Sequence, residues 1–260
     1  MERDNPQRLT ELRAKIDAVD ETIHTLIMQR ATVIDELIRI KGADRSRGAA
    51  FRPGREAQMM RALADRHAGS VPLGMIVHLW RELISTFTHM QAPYAVHLAE
   101  AGRADIMRDM ARHHFGFTVP LIAHADASGA IAAARARGNA LALVPLEGAG
   151  PWWDDLDAAT GLSVMARLPV IGVPFATVDA FVLSPQLSDP VPFDVRLYTG
   201  LAKHPETLSA WTGGTVIATG DTTQRALIAI EAGGSAPHDL LDIRAAGGYF
   251  APAGTTDPTR

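Results

Sequence analysis

Cysteine is absent from the 260 residues. Its absence removes disulfides, thiol nucleophiles, iron–sulfur clusters and cysteine-held zinc together, and fits a reducing cytoplasm. Lysine is almost as scarce, with Lys15, Lys41 and Lys203 beside 22 arginines. No apolar run approaches the roughly 18 residues that a membrane span needs. The segment from Met1 to Leu9 is polar and charged, so no signal-peptide core is expected. A surplus of positive charge is missing too: the net charge of −4 argues against nucleic acid as a partner. Nucleophile-elbow, phosphate-loop and dinucleotide motifs are absent. His113 and His114 are adjacent, so on a helix they point apart, and no metal site is expected.

Breakers are few in one part of the chain only. The first 92 residues hold 3 of the 16 prolines and 5 of the 22 glycines. They carry a net charge of +2, against −6 for the remaining 168. The first part reads as helix, the second as an α/β domain punctuated by turns. The boundary is expected near Gln91–Tyr94, giving domains 1–92 and 93–260.

The helical part opens on Leu9, Leu12, Ile16, Val19, Ile23, Leu26, Arg30, Val33, Leu37 and Ile40. Steps of three and four alternate throughout, which is a heptad seam. Such a helix is about 45–50 Å long. Two short remaining helices cannot cover it, so a partner chain is expected. Gly42 should end the helix. Pro53 suits the first turn of a second helix reaching about His67. Ser70 is expected to cap a third, which runs to about Gln91.

Arg30 occupies a seam position that packing alone would give to leucine. Gln91 ends the apolar stripe of Trp80, Ile84 and Phe87 in the third helix. Lys41 lies three turns after Arg30, on the same face. Arg55 and Glu56 open the second helix. Several fixed cations, one amide and one carboxylate, without a nucleophile or a His–Asp pair, suit a small dianion. The reaction of such a ligand needs only orientation and charge stabilisation.

The arrangement Leu12-Arg13-Ala14-Lys15-Ile16-Asp17, Asp20, Arg30, Lys41, Arg55-Glu56, Trp80-Arg81-Glu82 and Gln91 resembles the all-helical class of chorismate mutases over residues 9–91. The resemblance implies three helices per chain in an intertwined homodimer. It implies conversion of chorismate to prephenate by a Claisen rearrangement without a cofactor. Carried over, it assigns the two substrate carboxylates to Arg30 and to Arg13 of the neighbouring chain. Lys41 and Gln91 would donate to the ether oxygen, Glu56 would hold the ring hydroxyl, and Arg55 would support a carboxylate. Arg13 and Arg30 are about 25 Å apart along one helix, too far to meet on one substrate. Antiparallel pairing of two copies brings them together. Arg52 and Phe87 depart from the pattern, standing where some members have an acidic residue and a serine.

In the second part, Val119–Ala123, Leu141–Val144, Ala180–Leu183 and Val216–Ala218 are expected as strands. Arg103–His114, Ser128–Arg137 and Thr222–Ala232 are expected as helices. Residues 94–250 resemble the two-lobed catalytic region of prephenate dehydratases, a fold like that of periplasmic binding proteins. The resemblance rests on Arg112-His113-His114-Phe115-Gly116, the helix at Ala130 and Leu143-Val144-Pro145-Leu146-Glu147. The family's Thr-Arg-Phe triplet is replaced by Asp179-Ala180-Phe181, which implies a non-catalytic domain. Trp152-Trp153 is expected to anchor a loop by packed indoles. Two alternatives stand beside the mutase. One is a ligand-sensing or interaction protein that uses its helices only to dimerise; the other is a bifunctional mutase/dehydratase.

Overall fold

The structure is a computed structural model. It describes residues 5–41, 51–154, 156, 161–171, 178–185, 192–202, 208, 211, 213–220, 225–236 and 240–251. The chain forms two units, Met1–Ser46 and Arg47–Arg260.

The described residues of the first unit form one helix, α1 (Asn5–Lys41), of 37 residues. Its only proline is Pro6, in the first turn, and it contains no glycine. Thr10, Thr22 and Thr32 each donate to the carbonyl four residues back, at 2.8–3.2 Å, which satisfies their hydroxyls along the rod. The apolar members of the heptad seam are all exposed, from 40% at Leu37 to 74% at Ile40. Burying one such side chain is worth about 1.5–3 kcal/mol. Nine of them in water is a large liability against a net stability of about 5–15 kcal/mol. Gly42 and the loop after it lie outside the described residues.

The second unit begins with two further helices. In α2 (Pro53–Arg66), Pro53 occupies the first turn, as its fixed φ favours. In α3 (Leu73–Gln91), the N-cap is Pro72, not Ser70, and no side chain caps the helix. An extended proline at the cap leaves Ser70 two residues too early to reach the first free N–H groups. Met60 and Leu63 of α2 pack on Val77 and Ile84 of α3 and on Ile171.

Among the described residues, a nine-stranded sheet follows. Its strands are β1 (Ala95–Ala99), β2 (Leu121–His124), β3 (Ala140–Pro145), β4 (Leu162–Leu168), β5 (Ala180–Pro185), β6 (Val195–Ala202), β7 (Thr215–Thr219), β8 (Arg225–Glu231) and β9 (Leu240–Tyr249). Their spatial order is β2-β1-β3-β5-β4-β9-β6-β8-β7. Helices α4 (Ala104–Phe115) and α5 (Ala127–Arg137) connect β1 to β2 and β2 to β3, whose pairings are parallel. Strands β3 and β5 contain the apolar runs Leu141–Val144 and Ala180–Leu183 seen in the sequence, and Ala140–Pro145 is buried throughout. Trp152 and Trp153 are buried, with Trp152 Nε1 donating to Pro145 O at 3.2 Å.

Residues 222–232 are not the expected helix, since Arg225–Glu231 is a strand. Ala226–Ile230 is an unbroken apolar run, and β8 is hydrogen-bonded to β6 on one side and β7 on the other. A continuous run suits a strand covered on both faces, whereas a surface helix would need polar residues every few positions.

Among the described residues the mixed α/β region is one sheet whose two halves join where β4 runs parallel to β9, with Val164 paired to Gly247. Gly247 has φ +112, and an added Cβ would lie 2.0 Å from Val164 O. Gly247→Ala should therefore cost about 2–3 kcal/mol, since it must part the two halves as well as strain the backbone. Gly102→Ala, at φ +73 with open space around it, should cost only about 1 kcal/mol. Thermal unfolding of both full-length variants measures the difference. Equal midpoints would show that the Val164–Gly247 contact does not hold the halves together.

Candidate functional site

The expected site residues fall in both units. Arg13, Arg30 and Lys41 all belong to α1, with Arg13 exposed and Arg30 half-buried. The Lys41 side chain is outside the described residues. Arg55, Glu56 and Gln91 belong to the second unit. Arg55 is exposed and Glu56 is buried. Gln91 is half-buried, and its amide donates to Phe87 O, one turn back, at 3.1 Å. Glu56 and Gln91 thus have different partners in this structure. Phe87 is buried in α3 and belongs to its packing face.

Glu56 is held by Arg81, which the sequence presents only within the triplet Trp80-Arg81-Glu82. Arg81 lies on α3 at 2% exposure, and its Nη1 donates to Glu56 Oε2 at 2.6 Å. A buried guanidinium is tolerated only when its donors are met. Here the other two nitrogens turn to the end of α4. Nε donates to His114 O at 2.9 Å, and Nη2 lies 2.9 Å from His114 Nε2. Arginine has no acceptor, so Nε2 must be the lone-pair nitrogen and Nδ1 carries the proton. His114 is therefore neutral. Burial, and then the Arg81 and His113 charges, hold its pKa well below the usual histidine value. His113, stacked on His78 at 5.1 Å, is pushed down to about 4, chiefly by burial.

The surroundings reinforce this joint. Ser85 Oγ donates to His114 O at 3.1 Å. Both carboxylate oxygens of Glu82 accept from Phe117 N–H, at 3.1 and 3.2 Å. That approach requires Gly116, where a Cβ would fall 2.3 Å from Glu82 Oε2. Burial, and then the Glu56 carboxylate, raise the pKa of the Tyr94 hydroxyl. The sequence signal for Arg81 was its place in the buried stripe of Val77, Arg81 and Ile84, with steps of four and three.

A cavity of about 30 Å³ adjoins the pair, lined in part by Phe51, Glu56, Met60, Arg81, His114 and Arg167. That is room for one or two waters, not for a ring-sized substrate. Arg167 is turned to Asp179, with Nη2 donating to Oδ2 at 2.6 Å. Among the described residues no group of three or more His, Asp or Glu is placed to hold a metal. Nor is any described helix long and apolar enough to cross a membrane.

The neutral His114 has a consequence for stability. Its folded pKa lies below the unfolded value near 6.5, so below that pH the unfolded chain binds more protons and stability falls with pH. Denaturation midpoints should decline from pH 7.5 to 5. His114→Gln should reduce that decline by about 1 kcal/mol per pH unit below 6.5. Identical slopes for the two proteins would show that His114 does not resist protonation.

Residues 12–92 match the family chorismate mutase type II. The chain is 32% identical over 116 residues to the bifunctional chorismate mutase/prephenate dehydratase of Stutzerimonas stutzeri, covering 43% of this chain and 31% of that protein. The protein of the same description from Pseudomonas aeruginosa is 29% identical over the same coverage. That from Neisseria gonorrhoeae is 30% identical over 105 residues, covering 40% of this chain and 27% of its own length. The chain thus spans less than a third of the length of these curated relatives. No solved structure matches. The N-terminal helical region of the chain, residues 12–92, is a chorismate mutase type II domain.

Proposed function

We propose that this chain is a cytoplasmic, homodimeric chorismate mutase, converting chorismate to prephenate without a cofactor. The observation that carries the proposal is the family match over residues 12–92, which contains all six expected site residues. The rearrangement is unimolecular and moves no proton. A protein can accelerate it by holding the reactive conformer and by meeting charge as it develops. Arg30 of one copy and Arg13 of the other would fix the two carboxylates, with Arg55 in support. Lys41 and Gln91 would donate to the ether oxygen as its C–O bond breaks. Gln91 would exchange its present bond to Phe87 O for that contact. Glu56 would accept from the ring hydroxyl through the oxygen that Arg81 does not use.

The exposed seam of α1 supports the dimer. Nine apolar residues at heptad spacing form a surface that a second α1, running antiparallel, would cover. Such pairing brings Arg13 of one copy towards Arg30 of the other. We take residues 1–92 as the mutase domain and 93–260 as a prephenate dehydratase-like domain without dehydratase activity. In support, Asp179 and Ala180 replace the hydroxyl and guanidinium of the family's triplet, and Asp179 is engaged by Arg167.

The purified full chain should consume chorismate and release prephenate. Arg30→Ala should lower kcat/KM by about 10²–10³-fold, because it removes a charge-assisted contact from a water-poor site. Thermal stability should be unchanged or higher, since a charge leaves an apolar seam. Wild-type protein without turnover, or a dimeric Arg30→Ala variant with full efficiency, would reject the proposal.

A further inference from the structure

We infer that His114, which lies outside the mutase domain, is a positioning residue for the mutase site, acting on Glu56 through Arg81. The inference rests on the proposed mutase activity and adds a dependence of that activity on the α/β region. Three contacts form a continuous line: Glu56 Oε2 to Arg81 Nη1 at 2.6 Å, Arg81 Nη2 to His114 Nε2 at 2.9 Å, and Arg81 Nε to His114 O at 2.9 Å. Glu56, Arg81 and His114 are all buried, so the guanidinium is oriented by these side chains and not by bulk water.

The line has a direction. Arg81 is a rigid planar fork, and fixing two of its nitrogens on His114 fixes where the third points. Glu56 sits in the first turn of α2, its Oε2 held by that third nitrogen, and its orientation follows. His114 is in turn set by the packed end of α4, where Ser85 donates to its carbonyl and its ring packs edge-on against Phe115. A carboxylate that must hold one ring hydroxyl of a small dianion gains from such support, because an error of about 1 Å in a positioning group costs up to about 100-fold in rate. The α/β region thereby takes a role in the mutase reaction that needs no catalytic residue of its own.

The test uses the full-length chain. Glutamine carries an acceptor three bonds from Cβ, the same reach as Nε2 of histidine, and asparagine falls one bond short. His114→Gln should keep kcat/KM for chorismate within about threefold of wild type, and His114→Asn should lose about tenfold or more. Both variants retain the backbone contact from Arg81 Nε, and thermal unfolding verifies that each is folded. In a Glu56→Ala background, His114→Asn should cause no further loss, because its effect passes through Glu56. A purely structural role would reduce activity by the same factor in both backgrounds, and that result would overturn the inference. So would a folded His114→Asn variant as active as wild type. Wild-type protein without turnover would overturn the proposed function itself and the inference with it.

Discussion

A guanidinium at 2% exposure sets the terms for the second unit. Arg81 cannot shed its charge, and burying it without partners would cost several kcal/mol. Its partners therefore have to be where they are: Glu56 in the first turn of α2, and both the carbonyl and the ring of His114 at the end of α4. One side chain of α3 thus fixes the start of one helix and the end of another. Glu82 and Ser85 add their bonds on the same joint, and the absence of a Cβ at Gly116 lets the Glu82 carboxylate approach. Removal of any one partner leaves a buried charge or a buried donor unmet, so these positions are not independent of one another.

This joint explains why the compact units and the family match divide the chain differently. The match ends at residue 92, whereas the unit that holds the sheet begins at Arg47 and includes α2 and α3. Two helices of the mutase domain are built onto the α/β region through a buried polar network and the apolar cluster around Met60 and Ile171. A linker between freely separable domains would be expected to carry few contacts. Here Gln91 to Tyr94 instead passes directly from α3 to the buried strand β1.

Much of this was legible in the sequence, for physical reasons that differ by element. Helix α1 shows itself because nothing interrupts ten heptad positions, and α2 because Pro53 marks its start. Strands β3 and β5 are short apolar runs buried on both faces, which is the pattern a central strand requires. Strand β8 carries a similar apolar run, but five such residues do not separate a strand from a buried helix turn, and only its two neighbours decide it. Strands β1 and β9 escaped because His97 interrupts the one and Asp242, Arg244 and a glycine pair punctuate the other. At the site, Glu56 was legible from its helix position. Arg81 was less legible, because the apolar stripe through Trp80, Ile84 and Phe87 does not include it. Its burial depends on His114, 33 residues later, and no local pattern encodes that contact.

The proposed site depends on α1. A seam of nine exposed apolar residues carries Arg30 in its middle and Arg13 near one end, and the proposed site joins the two only when a second copy supplies one of them. The most direct measurement mixes two inactive full-length variants, Arg13→Ala and Arg30→Ala, under conditions that exchange subunits. A site shared between copies should recover about a quarter of wild-type activity, because half of the dimers are mixed and each of those has one intact site. Mixed dimers that form and remain inactive would contradict it.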